Sequence, residues 1–200
     1  VEANGAGPRN QAFLDSAKYF AEDVIKNSGN ALLSNYADLF HFPYDNNTES
    51  LFSLQWVYTP GAWGTQNSAP AYLAYSSDIM NGDGWGGDIS ATWWMIKQYD
   101  GIDLVNDSTL KGRTLDQRLK ATFMLPGASY PEITQTITGG KQKLIFPFNG
   151  SDNNSLSIKK YITGKAEDVG GQSAGQDYGN DTYMLRLAEM YLIYAEAAMG

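Results

Sequence analysis

His41 is the only imidazole in the chain, and there is no cysteine. Together these two facts remove most common reaction chemistry. A Ser-His triad would have to use His41, which stands in Leu39-Phe40-His41-Phe42-Pro43-Tyr44, where a solvated or capping role is expected. Two-histidine metal sites cannot be built, and the missing thiols exclude disulfide scaffolds, thiolate zinc sites and cysteine nucleophiles. Gly139-Gly140-Lys141 continues into Gln142 and has no upstream glycine, so it is no phosphate loop. Asn81, Asp83 and Gly86 touch the calcium-loop template, but Trp85 and Thr92 stand where oxygen donors of the right kind and reach are needed. Glycoside hydrolysis needs two facing carboxylates. Glu189 and Glu196 would stand about 10.5 Å apart on a helix, slightly beyond the inverting range. Asp83 and Asp88 flank Trp85 on a glycine-rich loop whose geometry is unconstrained. Hydrolysis stays open as a reading that nothing favours, and no cofactor or metal is expected.

Binding chemistry has better material. Trp63 sits in Gly-Ala-Trp-Gly, Trp85 in Gly-Trp-Gly-Gly, and Tyr72 and Tyr75 follow Pro70. A large ring among residues with little or no side chain has few local partners to bury it. Such rings can stack on the apolar face of a pyranose, with Asn67, Asn81 and Asp83 available to its hydroxyls. The four candidate ligand-binding residues are therefore Trp63, Tyr72, Tyr75 and Trp85. The competing reading folds the same rings back as small cores under long loops. Trp93 and Trp94 lie in a predicted helix, and at least one of them should be core.

These rings must be positioned by a chain of 200 residues with 22 acidic and 14 basic side chains, a net charge of −8. The composition suits a folded chain, and the acidic balance argues against a nucleic-acid partner. No run approaches the roughly 20 apolar residues of a membrane span. The chain starts at Val1 without an initiator Met and stops at Gly200 just after a helical run, as a fragment or processed chain would.

Apolar residues recur at helical spacing over 11–28, in one row of Phe13, Ala17, Phe20 and Val24 and a second of Leu14, Ala21 and Ile25. Asn10 is the expected N-cap and Gly29 the expected C′ residue. A short helical run over 34–40 would complete a helical hairpin, giving a first region of 1–40. Residues 41–181 read as an irregular, loop-rich region. It holds a strand over 50–58, a helix over 91–99, a hairpin over 133–148 turning at Gly139-Gly140, and a loop over 165–181. The last region, 182–200, reads as a helix from Tyr183 whose apolar residues nearly encircle it, so that it must be packed on most sides, with Arg186 and Glu189 paired on its polar side.

Four patches, in order, carry a resemblance. They are 17–56 (with Tyr36-x-x-Leu39-Phe40 and Glu49-Ser50-x-Phe52), Leu115-Asp116-Gln117-Arg118, Lys159-Lys160-Tyr161 with the glycine-rich stretch after it, and Arg186-Leu187-Ala188-Glu189 leading to Tyr194-Ala195-Glu196-Ala197. Together they resemble the SusD/RagB family of surface nutrient-binding lipoproteins of Bacteroidetes. The resemblance implies a mainly α fold of tetratricopeptide-like helices with a long irregular insertion of short strands and loops. It also implies non-catalytic capture of a glycan, or in some members a peptide, at the surface of the outer membrane. The partner it implies is a SusC-like TonB-dependent transporter, with membrane attachment through a lipid anchor that this chain lacks. No family ligand residue transfers by motif, so the four rings rest on the physical argument alone. A helical protein–protein scaffold remains the alternative from another class, marked by a large exposed apolar patch on the helices.

Overall fold

The computed structural model describes residues 9–61, 64, 66–82, 84, 89–99, 116–147 and 157–199. In chain order its elements are α1 (Gln11–Asn27), β1 (Ser50–Leu54), α2 (Ala69–Leu73), α3 (Trp93–Ile96), α4 (Gln117–Thr122), β2 (Phe123–Met124), β3 (Ser129–Ile137), β4 (Gly140–Ile145), β5 (Ser157–Ile158), β6 (Ser173–Ala174), β7 (Asp177–Tyr178), β8 (Thr182–Arg186) and α5 (Leu187–Met199). They fall into two compact units. One holds Val1–Ser34, Asn46–Leu54 and Asp181–Gly200, the other Asn35–Asp45 and Gln55–Asn180.

The first unit is built on α1, α5 and the antiparallel pair β1–β8. The Asn10 side chain accepts from the amides of Ala12 and Phe13, which satisfies donors that the first helical turn leaves free. Gly29 follows the helix with φ +77°, the left-handed geometry a C′ residue adopts. Leu14 and Ala21 are buried on α1, and Leu187, Met190 and Ala197 on the α5 that packs against it. The other α1 row, Phe13 and Phe20, faces outward, as do Tyr191, Leu192 and Met199 of α5. The last helix is thus covered on one side among the described residues, not on most sides as its composition suggested.

Two further expectations give way to long-range pairing. The helical hairpin over 1–40 does not form: Tyr36–Phe40 is a 3-10 turn within the other unit, and the partner of α1 is α5. The last helix starts at Leu187, because Thr182–Arg186 pairs with β1 from Leu54↔Thr182 to Ser50↔Arg186. Pairing overrides helix propensity here, and the charge arrangement shows why. Glu49 is buried, and its carboxylate accepts from Arg186 Nη1 at 2.7 Å and from the Leu33 amide at 3.0 Å. Arg186, expected to pair with Glu189, lies at the end of β8 and serves the strand pair.

The second unit is held by separate two-stranded antiparallel ladders, β2–β5, β3–β4 and β6–β7. A lone two-stranded ladder is at best marginal in water, so these depend on a shared core. Ala74, Ile79, Met80, Met124, Ile133, Leu144, Phe146, Ile162, Tyr130 and Tyr178 supply it. The β3–β4 hairpin turns where expected, with Gly139 at φ +86°. Its register jumps from Tyr130↔Leu144 to Thr134↔Lys143, which leaves 131–133 as a bulge. Pro131, which has no amide proton to give a ladder, sits within it. The bulge sends Ile133 into the core and brings the Thr134 amide to Asp168 Oδ2 at 2.9 Å. The same Asp168 carboxylate accepts from Thr134 Oγ1 at 2.7 Å and from the Lys165 amide at 3.0 Å. Elsewhere the stretch 165–181, expected as a loop, forms a 3-10 turn and the small β6–β7 ladder. The helix expected over 91–99 is one turn, Trp93–Ile96.

Replacing Arg186 by Leu leaves the Glu49 carboxylate buried without its cation. We expect a loss of about 3 kcal/mol in unfolding free energy from urea titration; a loss below about 1 kcal/mol would mean that the pair does not fix the β1–β8 register.

Candidate functional site

The aromatic-rich stretch forms a layer with a filled underside. Pro70, Ala71 and Ala74 around α2 are buried, and Ile79 and Met80 are fully buried after it. Burying two such side chains contributes about 2–3 kcal/mol each, ample to hold the segment down. Small and aliphatic residues do this work, so Tyr72 on α2 is left facing out, 37% exposed. On the same layer Thr59, Pro60, Gly61 and Gly64 are also exposed.

Tyr75 has a different fate. Its ring meets Phe146 edge to face, with centroids 5.0 Å apart, and packs against the main core. The hydroxyl is buried with no hydrogen-bond partner among the described residues. Burial, helped by the charge of Asp78, pushes its pKa up to about 12. Tyr75 is half-buried, with its ring packed on the core side of the segment. Trp63 and Trp85 lie outside the described residues, as does Asp83.

The two asparagines expected to bind ligand hydroxyls are engaged inside the protein. Asn67 is buried; its Nδ2 donates to the Asn180 carbonyl at 3.0 Å, and its Oδ1 accepts from the Ala69 amide. Asn81 donates to Ser173 Oγ at 3.0 Å and to Tyr178 Oη at 3.3 Å, and accepts from the Ala166 amide at 2.9 Å. Of the pair Trp93 and Trp94, of which at least one was expected in the core, Trp94 is an exposed ring on α3, its side chain 70% exposed.

A cleft of about 710 Å³ opens elsewhere in the second unit, lined in part by Asn35, His41, Lys120, Leu125, Glu132 and Lys159. Its size is that of a small-molecule site. At its wall the bulge residue Glu132 meets Lys159 Nζ at 3.2 Å and His41 Nε2 at 3.4 Å through one carboxylate oxygen. Lys159 is 1% exposed, and its ammonium also donates to the Ile162 carbonyl at 3.2 Å. Burial pushes Glu132 upward, but the hydrogen bond to His41 and the charge of Lys159 outweigh it and hold the carboxyl at about 2. Burial pulls the Lys159 amine down against the attraction of Glu132. An ammonium committed to a carboxylate and a carbonyl is a poor nucleophile, and a carboxyl this acidic is a poor proton donor near neutrality. The cluster joins the β3 bulge to the segment after β5. Sequence spacing gave no sign of it, since the three residues are brought together only by the fold.

Among the described residues no group of acidic and histidine side chains could hold a metal ion. No described helix is long and apolar enough to cross a membrane.

The SusD family model matches residues 48–200. This chain belongs to the SusD family. A SusD-like protein of Bacteroides ovatus is 32% identical over 198 residues, which is 98% of this chain and 32% of that protein. A crystal structure with xylogluco-oligosaccharide aligns over 98% of this chain and 36% of its own, with 32% identity and a TM-score of 0.75. A laminarin-binding SusD-like protein, at 22% identity and a TM-score of 0.60 over 94% of this chain and 40% of its own, shares the fold. The chain spans about a third of the length of these SusD relatives. Two of the matching patches now explain each other: Glu49 of the Glu-Ser-x-Phe strand and Arg186 of the Arg-Leu-Ala-Glu run form the buried pair between β1 and β8.

Because the Glu132 carboxyl is held below its ordinary value in the fold, its contribution to stability is complete above about pH 5 and is lost as pH falls toward 2. Urea midpoints between pH 6 and 2 should therefore fall more steeply in the native chain than in Glu132→Gln, which has no proton to take up. Parallel curves would show that the cluster is not what acid disrupts.

Proposed function

We propose that this chain captures an oligosaccharide on an aromatic platform formed by Trp63, Tyr72 and Trp85, without catalysis and without a cofactor. The observation that carries the reading is the 32% identity, over nearly the whole chain, to a SusD-fold structure determined with xylogluco-oligosaccharide. The outward ring of Tyr72 on a layer whose underside is already filled supports it. So does the placement of three glycine- or proline-flanked rings in one stretch of chain. Tyr75 takes the supporting role that its packing gives it.

The wider setting follows the family. The captured glycan is handed to a SusC-like TonB-dependent transporter, and the protein is held at the outer face of the outer membrane by a lipid anchor. In the longer protein α1 and α5 belong to a tetratricopeptide-like array. The outward rows Phe13 and Phe20 on α1, and Leu192 and Met199 on α5, are what helices in such an array turn toward a neighbouring helix. Peptide capture by the same rings is the second reading.

Calorimetric titration with xylogluco-oligosaccharide, laminarihexaose and an unstructured peptide separates these readings. We expect binding to an oligosaccharide, weakened about tenfold or more by Trp63→Ala and by Trp85→Ala with the thermal midpoint unchanged. Native affinity in both variants would remove the platform, and binding to the peptide alone would establish the second reading.

A further inference from the structure

Besides its core packing, the described part of the platform stretch is hydrogen-bonded to the stretch 166–180 at three places. At the near end the Thr59 amide donates to Asp177 Oδ2 at 3.3 Å. In the middle Asn67 Nδ2 donates to the Asn180 carbonyl at 3.0 Å, just ahead of the helix that carries Tyr72. At the far end Asn81 Nδ2 donates to Ser173 Oγ at 3.0 Å and Tyr178 Oη at 3.3 Å, while its Oδ1 accepts from the Ala166 amide at 2.9 Å. Ser173 and Tyr178 are buried and lie opposite each other in the β6–β7 ladder. Gly179 brings its backbone so near that an added Cβ would lie 3.3 Å from the Tyr58 nitrogen. At the other end, the Cβ of any residue replacing Gly84 would stand 2.9 Å from the Ser76 and Ser77 backbone. Ser77 Oγ also donates to the Gly84 carbonyl at 3.1 Å.

We propose that the 166–180 stretch is the backing of the ligand platform, and that Asn67 and Asn81 are positioning residues that set its oligosaccharide affinity without touching the sugar. The proposal rests on the platform reading above and adds what holds the platform still. An irregular segment that had to be ordered by its ligand would charge that ordering against binding; a segment already fixed by hydrogen bonds does not. Both asparagine side chains use their donor and acceptor within the protein, so their part in recognition is indirect.

The two sites differ in a way that chemistry can test. Around Asn81 the acceptors of its amide protons are hydroxyls, which can turn and donate to a carboxylate instead. Asn81→Asp therefore keeps all three contacts, while Asn81→Ala loses them. The partner of Asn67 Nδ2 is a carbonyl, which has no proton to offer, so Asn67→Asp sets two acceptors against each other. In titrations with xylogluco-oligosaccharide we expect Asn81→Ala and Asn67→Asp to bind about tenfold more weakly than the native chain, and Asn81→Asp to stay within about twofold. Amide exchange should quicken across 59–84 in the two weakened variants and stay unchanged in the β3–β4 hairpin. Native affinity in both Asn81→Ala and Asn67→Asp, or equal weakening by Asn81→Asp and Asn81→Ala, overturns the proposal. Tyr72→Ala and Trp63→Ala in the same series separate its failure from that of the platform. If they lose binding while the asparagine variants keep it, only the positioning claim falls. If they bind as the native chain does, or if the native chain does not bind, the platform reading falls and the proposal with it.

Discussion

A long stretch of irregular backbone can be buried only if its amides and carbonyls find partners, and in this chain side chains supply many of them. A continuous sheet would have met that demand with its own ladder. Here the described ladders are only two strands wide, and the gaps between them are bridged by polar side chains. Asp168 gathers the Thr134 and Lys165 amides, Tyr130 Oη accepts from the Leu125 amide and donates to the Phe123 carbonyl, and Asn67 and Asn81 do the same for the platform stretch. Each bond is modest alone, but a buried group left without its partner costs more than the bond contributes. A loop-rich region can on this basis be as well defined as a helix bundle, which a binding surface built from loops requires.

That constraint also explains why some residue types misled the sequence reading. Asparagine and aspartate on glycine-rich stretches suit sugar hydroxyls and suit stray backbone groups equally well. Asn67 went to the backbone and Asn81 to one backbone amide and two buried hydroxyls, and nothing local distinguished these uses from sugar binding. Local signals were legible where the physics is local: the Asn10 cap, the left-handed Gly29, and the turn at Gly139 all stand where their types predicted. The start of the last helix was not legible. What decides it is a strand over 130 residues away and a buried carboxylate, Glu49, that claims Arg186. The Glu132–Lys159–His41 cluster escaped for the same reason.

The family resemblance was readable because it did not depend on any one contact. Ordered patches of apolar and charged residues survive in a sequence even when their individual meanings are obscure, and the SusD family model spans three-quarters of the chain. The rings proposed to bind ligand carried no such pattern. They were chosen because glycine and proline neighbours leave a large ring without local cover. Of these rings Tyr72 faces out, and Tyr75 is half-buried with its ring packed beside Phe146. The difference lies in α2, where burial of Pro70, Ala71 and Ala74 on one side of a short helix dictates which tyrosine is turned outward.

The central claim is a place: sugar meets this chain on the aromatic stretch and not in the cleft beside His41. Backbone amide shifts followed by NMR during addition of xylogluco-oligosaccharide test that directly. The account predicts saturable shifts concentrated between residues 59 and 88, with Asn35, Lys120 and Glu132 unmoved. Shifts confined to those cleft residues, with the aromatic stretch silent, would contradict it.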